Sequence, residues 1–343
     1  MSLLLSPFSI GSVSIKNRII MPPMCLYSAE ENGHVTPFHT LHYGARALGE
    51  TGLIIVEATG VEARGRISDH DLGIWNDTHM HSHESLTKTC KSFGARVALQ
   101  LGHAGRKCEC ANQTPVAPSA IAFKEEAPFK TPHALSVDEV KQVKHAFIQG
   151  AIRAQKAGYD MVEIHAAHGY LLNEFLSPLT NERKDNYGGS FENRCRLLLE
   201  IVAEMKKSVD IPLIVRLSAH EWMKEGWSLK ETQTLAKALE EAGVDALHIS
   251  SGGNIAKPNW RPKITPLYQT PYAKAVKDHV SIPVIAVGRI TTPSEGESLL
   301  MGNMCDFVAY GRELLRNPNF GIQAAKELLD ESKVPAPYAR AYA

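Results

Sequence analysis

The run Glu163-Ile164-His165-Ala166-Ala167-His168-Gly169-Tyr170 places two imidazoles three residues apart at the end of an apolar stretch. Where such a stretch turns into a loop, both ring N–H groups can be aimed at one oxygen and can polarise a carbonyl or nitro group. Tyr170 then stands close by as a proton donor. The same pair is equally a fragment of a metal site, or two incidental histidines; a zinc centre needs a third ligand, for which His103 or His248 is the candidate. Val287-Gly288-Arg289 and Tyr310-Gly311-Arg312 form a second set. Glycine lets backbone N–H groups approach a phosphate and arginine supplies the counter-charge, although glycine also serves simply to tighten turns. No G-x-G-x-x-G or Walker loop occurs, so a mononucleotide phosphate is expected rather than a Rossmann-type dinucleotide site. Met21-Pro22-Pro23-Met24-Cys25-Leu26-Tyr27 is a stiff turn carrying a thiol and a phenol, where the thiol alone reads as an inert buried residue as readily as a functional one. Arg216 ends the apolar run Leu213-Ile214-Val215 and must be paired, either in a salt bridge or with a bound anion.

These groups need elements that bring them together, and the chain repeats a helix-then-strand unit. Ser136-x-x-Glu139, Ser228-x-x-Glu231 and Thr292-x-x-Glu295 have capping-box spacing, the last with Pro293 at the first helical position. The helices they open should end near Gly158, Gly243 and Gly302, each followed by an aspartate and an apolar strand. Apolar strands alternating with amphipathic helices imply parallel strands buried on both faces. Eight are expected, near Ile19–Pro22, Leu53–Glu57, Arg96–Leu101, Met161–His165, Leu213–Leu217, Ala246–Ser250, Val284–Val287 and Phe307–Tyr310. With no break in composition, residues 1–343 read as a single (β/α)8 TIM barrel of the α/β class, with Leu4–Ile15 as an N-terminal β-hairpin plug. The longest connections follow the third, fourth and sixth strands, giving extended loops on the C-terminal face, where barrels build active sites. Gln100, His165, Arg216, Ser250, Gly288 and Gly311-Arg312 all fall at that rim.

The 343 residues are 44% hydrophobic and 22% charged, which excludes disordered and fibrous classes. Lys plus Arg equals Asp plus Glu at 37 each, so no summed field favours nucleic acid or an anionic membrane. The longest apolar runs are far too short to span a bilayer, and no signal peptide is read at the N-terminus, so a cytoplasmic location is expected. Six scattered cysteines without a CxxC pair argue against a disulfide framework. The sequons at Asn76 and Asn112 are read as chance. His79-Met80-His81-Ser82-His83 and Cys108-x-Cys110 are read as solvated faces, the latter in a top-face loop where it could be redox-sensitive.

Taken together the motifs resemble the Old Yellow Enzyme family of FMN-dependent ene reductases, in particular the bacterial subclass with a cysteine in the flavin site. The resemblance spans nearly the whole chain. It is carried by Asn17-Arg18, Pro23-Met24-Cys25 and Tyr27, Gln100 to Lys107, His165 to Tyr170, Arg183, Asp185, Tyr187 to Ser190, Glu192-Asn193-Arg194 and Gly311-Arg312. It implies FMN, bound tightly but not covalently, across the barrel mouth. Gly288, Gly311 and Arg312 would hold the phosphate, Pro23, Met24 and Ala58 would pack or bond the ring, Gln100 would bind its pyrimidine edge, and Arg216 would face N1 and O2. Cys25 would tune the potential. The implied reaction is ping-pong reduction of small electrophilic alkenes by NADPH or NADH, with His165, His168 and Tyr27 hydrogen-bonding the substrate and Tyr170 protonating the α-carbon. In this subclass an arginine near the C-terminus reaches a neighbouring subunit's site, which implies a homodimer or dimer-based homotetramer with Arg340 as that residue, in a tail of about 333–343. Tyr342 stands where some relatives have Trp, and Cys108 where many have a small residue. Two other readings stand beside this one: a metal-dependent barrel hydrolase using His165 and His168, and an FMN enzyme of the dihydroorotate-dehydrogenase kind.

Overall fold

Strand order follows from the alternation in the sequence. The computed structural model describes residues 2–30, 32–330 and 334–341. A hairpin comes first, β1 (Phe8–Ile10) paired antiparallel with β2 (Val13–Ile15). Then come β3 (Ile19–Met21), β4 (Leu53–Gly60) and β5 (Arg96–Gly102) of the barrel, a short parallel pair β6 (Val116–Ala117) and β7 (His133–Ala134), and β8 (Met161–Ala166), β9 (Leu213–Ser218), β10 (Ala246–Ser250), β11 (Val284–Val287) and β12 (Phe307–Ala309). Among the described residues, β3, β4, β5, β8, β9, β10, β11 and β12 close a parallel barrel in chain order, with β12 back against β3. These are the eight expected strands, each within a few residues of its predicted ends.

Side-chain alternation sorts the core into two layers. Inside the barrel, Ile20, Ile55, Ala98, Met161, Ile214 and Ile285 pack on Ile10 and Ile15, so the hairpin does plug the bottom. Outside, the strands' other faces meet the helices, for example Val140, Val143, Phe147 and Ala151 of helix Val137–Lys156. All three capping boxes form. Gly158 and Gly243 take the left-handed conformation expected of them, with φ +87° and +91°, but Gly302 does not; Asn303 turns the chain instead, at φ +52°.

Two sequence expectations fail here. Helix Asp77–Ser92 does begin at the histidine cluster, with Asn76 as its cap, but only His81 faces solvent. His79 bonds the Asn32 carbonyl at 2.7 Å, and His83 sits between Tyr159 Oη at 2.7 Å and the Gly73 carbonyl at 3.1 Å, both rings being buried. Helical spacing puts residues i and i+4 on one face, and here that face is the core side. Cys108 and Cys110 are likewise buried, packed with Ala58, Ile67 and Ala104.

Burial pushes the pKa of His83 down to about 3. Neutral in the folded state and protonated in the unfolded one, it stabilises fully above about pH 6.5 and loses that contribution as pH falls toward 3, by up to about 1.4 kcal/mol per pH unit. Thermal melts between pH 7 and 4 should therefore show a shallower acid slope in His83→Gln than in the parent protein; parallel slopes would contradict this placement.

Candidate active site

The strand ends converge as the rim argument requires. Pro23, Met24, Arg216, Gly288, Gly311 and Arg312 line one cleft of about 310 Å³, together with Tyr268, Gln269, Arg289 and Arg316. Ala58, His165 and Tyr170 line a tighter depression with Asp71 and His103, and Cys25 and Tyr170 both pack against the Ala58 cluster. A larger groove of about 840 Å³ runs between helices Pro37–Leu48 and Asp77–Ser92 on the flank, but it gathers no comparable set of polar groups.

Local backbone explains how each group is presented. His168 has φ +61°, a conformation non-glycine residues rarely adopt, and it is tied down by three bonds. Its N–H donates to Ser218 Oγ at 2.9 Å, Lys107 Nζ donates to its carbonyl at 2.7 Å, and its Nε2 lies 2.7 Å from Ser250 Oγ. His165 Nδ1 accepts the Ala167 N–H at 3.3 Å, which leaves its proton on Nε2. That Nε2 lies 3.4 Å from His168 Nδ1. When the Ser250 hydroxyl turns to His168 Nε2 instead of to Gln269 Oε1, His168 carries its proton on Nδ1 and two N–H donors stand side by side, the arrangement that suits one shared oxygen. Burial, then the Arg216 charge, pushes both imidazoles well below the usual histidine range, so they are neutral donors at neutral pH. The Tyr170 ring meets His165 edge-on at 4.9 Å, and burial raises its phenol well above 10.

The β3 loop is fixed from below. Glu57 accepts the Leu26 N–H at 2.8 Å and the Tyr43 hydroxyl at 3.2 Å, setting Cys25 and Tyr27 at the rim. Burial pushes the Cys25 thiol up to about 12, reinforced by Asp71 and Glu57, so it is a neutral thiol rather than a nucleophile. Tyr27 is half exposed at φ +51°.

The pairing question for Arg216 is settled by geometry. The side chain is buried, and its Nε has no hydrogen-bond partner in the protein. A buried guanidinium left this way calls for an anionic or electron-rich group from outside the chain, which a flavin's N1 and O2 edge provides. Gly288 completes the cradle. Its φ is +135°, and a Cβ there would lie 2.9 Å from Gln269 Cβ. Gly288→Ala should cost about 1–3 kcal/mol and lower the FMN content of the purified protein, as read by thermal melting and by absorbance. Gly311 is different, since a Cβ would make only an ordinary 3.6 Å contact with Met24 Sδ.

Some residues lie elsewhere. His103 Nδ1 accepts the Gly105 N–H at 3.1 Å and its Nε2 faces Glu62 at 3.3 Å, so it is not turned toward the His165–His168 pair as a third ligand. Arg183 and Arg194 hold loops, through Asp185 and Glu231. Arg340 is exposed in the turn Ala336–Ala341, and Tyr342 lies outside the described residues. Sequence reasoning gave no role to Gln269, whose Oε1 lies 2.8 Å from Ser251 Oγ and 3.2 Å from Ser250 Oγ, or to Glu163, and it weighed His248 only as a third metal ligand, whereas its Nδ1 is bound to Glu163 at 2.7 Å. For Glu163 and His248 the available signal was polar residues at alternate positions of apolar strands; Gln269, at the start of helix Thr270–Lys277, carried none.

The C-terminal rim of the barrel thus joins a cationic, glycine-lined cleft to paired neutral imidazoles and a phenol. Residues 3–331 match the NADH:flavin oxidoreductase / NADH oxidase family, and the chain belongs to it. It is 47% identical over 339 residues to the NADPH dehydrogenase of Bacillus cytotoxicus, covering 98% of this chain and 96% of that one. It is 45% identical over 342 residues to the NADPH dehydrogenase of Geobacillus thermodenitrificans, covering 99% of each. Among solved structures, morphinone reductase superposes with a TM-score of 0.82 at 30% identity, over 94% of this chain and 89% of that one. The Old Yellow Enzyme homologue of Zymomonas mobilis gives 0.82 at 28% identity, over 94% and 92%. The protein is thus an FMN-dependent NAD(P)H oxidoreductase of the Old Yellow Enzyme family. No helix among the described residues is long and apolar enough to cross a membrane.

Proposed function

We propose that the enzyme reduces activated C=C bonds of α,β-unsaturated ketones, aldehydes and nitro compounds. The observation that carries this reading is the pair of ring nitrogens His165 Nε2 and His168 Nδ1, 3.4 Å apart, beside the Tyr170 phenol. FMN held there, tightly and without a covalent bond, would supply a hydride acceptor toward NADPH or NADH and a hydride donor toward the alkene. Arg216 would face the N1–O2 edge of its ring, Gln100, Ala58, Pro23 and Met24 its ring periphery, and Gly288, Gly311 and Arg312 its phosphate.

The chain's own residues then account for the rest. His165 and His168 hydrogen-bond the electron-withdrawing oxygen and draw charge off the alkene, which makes the β-carbon electrophilic. Tyr170 remains protonated across the physiological range and gives its proton to the α-carbon. Tyr27 adds a bond to the substrate, and the neutral Cys25 thiol modulates the cofactor instead of attacking. Nicotinamide and alkene occupy the same space in turn, which gives ping-pong kinetics. One solved relative is described as morphinone reductase in complex with tetrahydroNAD, in keeping with a nicotinamide in that space. A cytoplasmic location is kept with this reading.

The test is the visible spectrum of the purified protein under anaerobic NADPH, followed by cyclohexenone. A flavin spectrum that bleaches and then returns supports the assignment; bleaching that the enone does not reverse would refute alkene reduction while leaving the flavin enzyme intact.

Arg340 and the dimer or dimer-based tetramer belong to the same proposal. The exposure of Arg340 in a single chain suits a residue that reaches a neighbouring subunit. Truncation after Tyr338 should raise KM for the enone several-fold with little change in NADPH-dependent bleaching, and unchanged kinetics would remove the idea.

A further inference from the structure

Three side chains on β5, β8 and β10 meet inside the barrel just above its hydrocarbon layer: Gln100, Glu163 and His248, all buried. Glu163 Oε1 accepts from Gln100 Nε2 at 2.7 Å, and its Oε2 accepts from His248 Nδ1 at 2.7 Å. Between them runs β9, whose Arg216 stands in register with His165 on one side and His248 on the other. A carboxylate here is costly: sunk above Met161, Ile214 and Ile285 it loses its hydration, and two neutral donors and a guanidinium return only part of it. Apolar side chains of similar volume would fill the space at no such cost. Neither substrate binding nor proton transfer, as described above, uses Glu163.

We propose that Glu163 is a positioning residue for the cofactor's pyrimidine edge. It fixes the Gln100 amide with its Oε1 free to accept from a ring N–H, and its negative charge offsets Arg216 to hold down the reduction potential of the flavin.

The hydrogen bonds set the orientation. With one N–H of Gln100 Nε2 committed to Glu163, the carbonyl oxygen and the second N–H of the amide are left to face a ligand, and the amide cannot flip without breaking a buried bond. His248 is the lock on the other oxygen. Burial and the Arg216 charge push its pKa down, so it stays a neutral donor through Nδ1. The charge argument has a definite sign. Reduction puts negative charge on the ring; Arg216 favours that, and Glu163, the foremost charge acting on Arg216, opposes it.

The inference rests on the FMN reading. Glu163→Gln removes the charge and keeps the shape. In the FMN-loaded variant, the reduced-to-oxidised ratio at a fixed dye potential should rise about tenfold, equivalent to about 30 mV for a two-electron couple. FMN should also dissociate several-fold more easily from the variant, and a Gln100→Met background should abolish that second effect while leaving the first. If Glu163→Gln fails to fold, Glu163→Met decides: it removes the same charge with an apolar side chain of similar volume and should raise the reduced-to-oxidised ratio in the same direction. A wild-type potential in whichever of Glu163→Gln and Glu163→Met folds would overturn the inference. A parent protein that binds no FMN would instead fail the cofactor reading itself.

Discussion

His168→Ala is expected to lower enone turnover by roughly 10²–10³, the usual cost of deleting one preorganised donor to a developing oxyanion. Binding of phenols, which present an oxygen to the same pair, should weaken by roughly tenfold or more, since a lost hydrogen bond to a charged partner costs about 1.5–3 kcal/mol. Reduction of the flavin by NADPH should change far less. The structure adds a condition on pH. Because burial and Arg216 hold the imidazole well below the usual range, no break from His168 should appear between pH 6 and 8 in the parent enzyme. Stopped-flow measurement of the two half-reactions across that range checks both statements; equal losses in both half-reactions, or a break near pH 6.5, would contradict the role.

Tyr170→Phe should separate the half-reactions still more sharply. The ring would keep its edge-on contact with His165, so binding should be nearly preserved, while loss of the proton donor slows alkene reduction by roughly 10²–10⁴. Burial raises the phenol well above 10, which keeps the parent enzyme's donor protonated up to at least pH 9. The oxidative half-reaction of the variant should lose most of its rate when water is the only proton source, and nitroalkenes, whose anions are stable enough to leave and be protonated in solution, should suffer least. Full activity of Tyr170→Phe on cyclohexenone would rule the phenol out as the donor.

Much of the architecture was legible in the chain. Apolar runs flanked by capping boxes fix where strands and helices lie, because period and cap chemistry are local properties, and β10 and β11 fell on their expected residues. The histidine cluster at 79–83 shows the limit. Amphipathic spacing says which residues share a face, but which face looks inward depends on what packs there, here Trp75 and Tyr159. Cys108 and Cys110 fail for the same reason, in a connection whose regular structure is the single turn Gly105–Lys107 and the short β6–β7 pair.

The sequence by itself determined the barrel, the rim at which its polar residues gather, and the family, because these rest on periodicity and on motifs contiguous in the chain. Only the tertiary structure decided protonation and pairing. Whether Arg216 was bridged or open and what holds Gln100 both depend on neighbours brought in by other strands. Those neighbours lie 63 to 148 residues away in hydrogen bonds such as Gln100–Glu163, His248–Glu163 and Arg106–Asn254. Barrel closure creates those contacts, and burial inside it gives them their strength, since a charge or lone pair out of water must be answered by whatever the fold puts beside it.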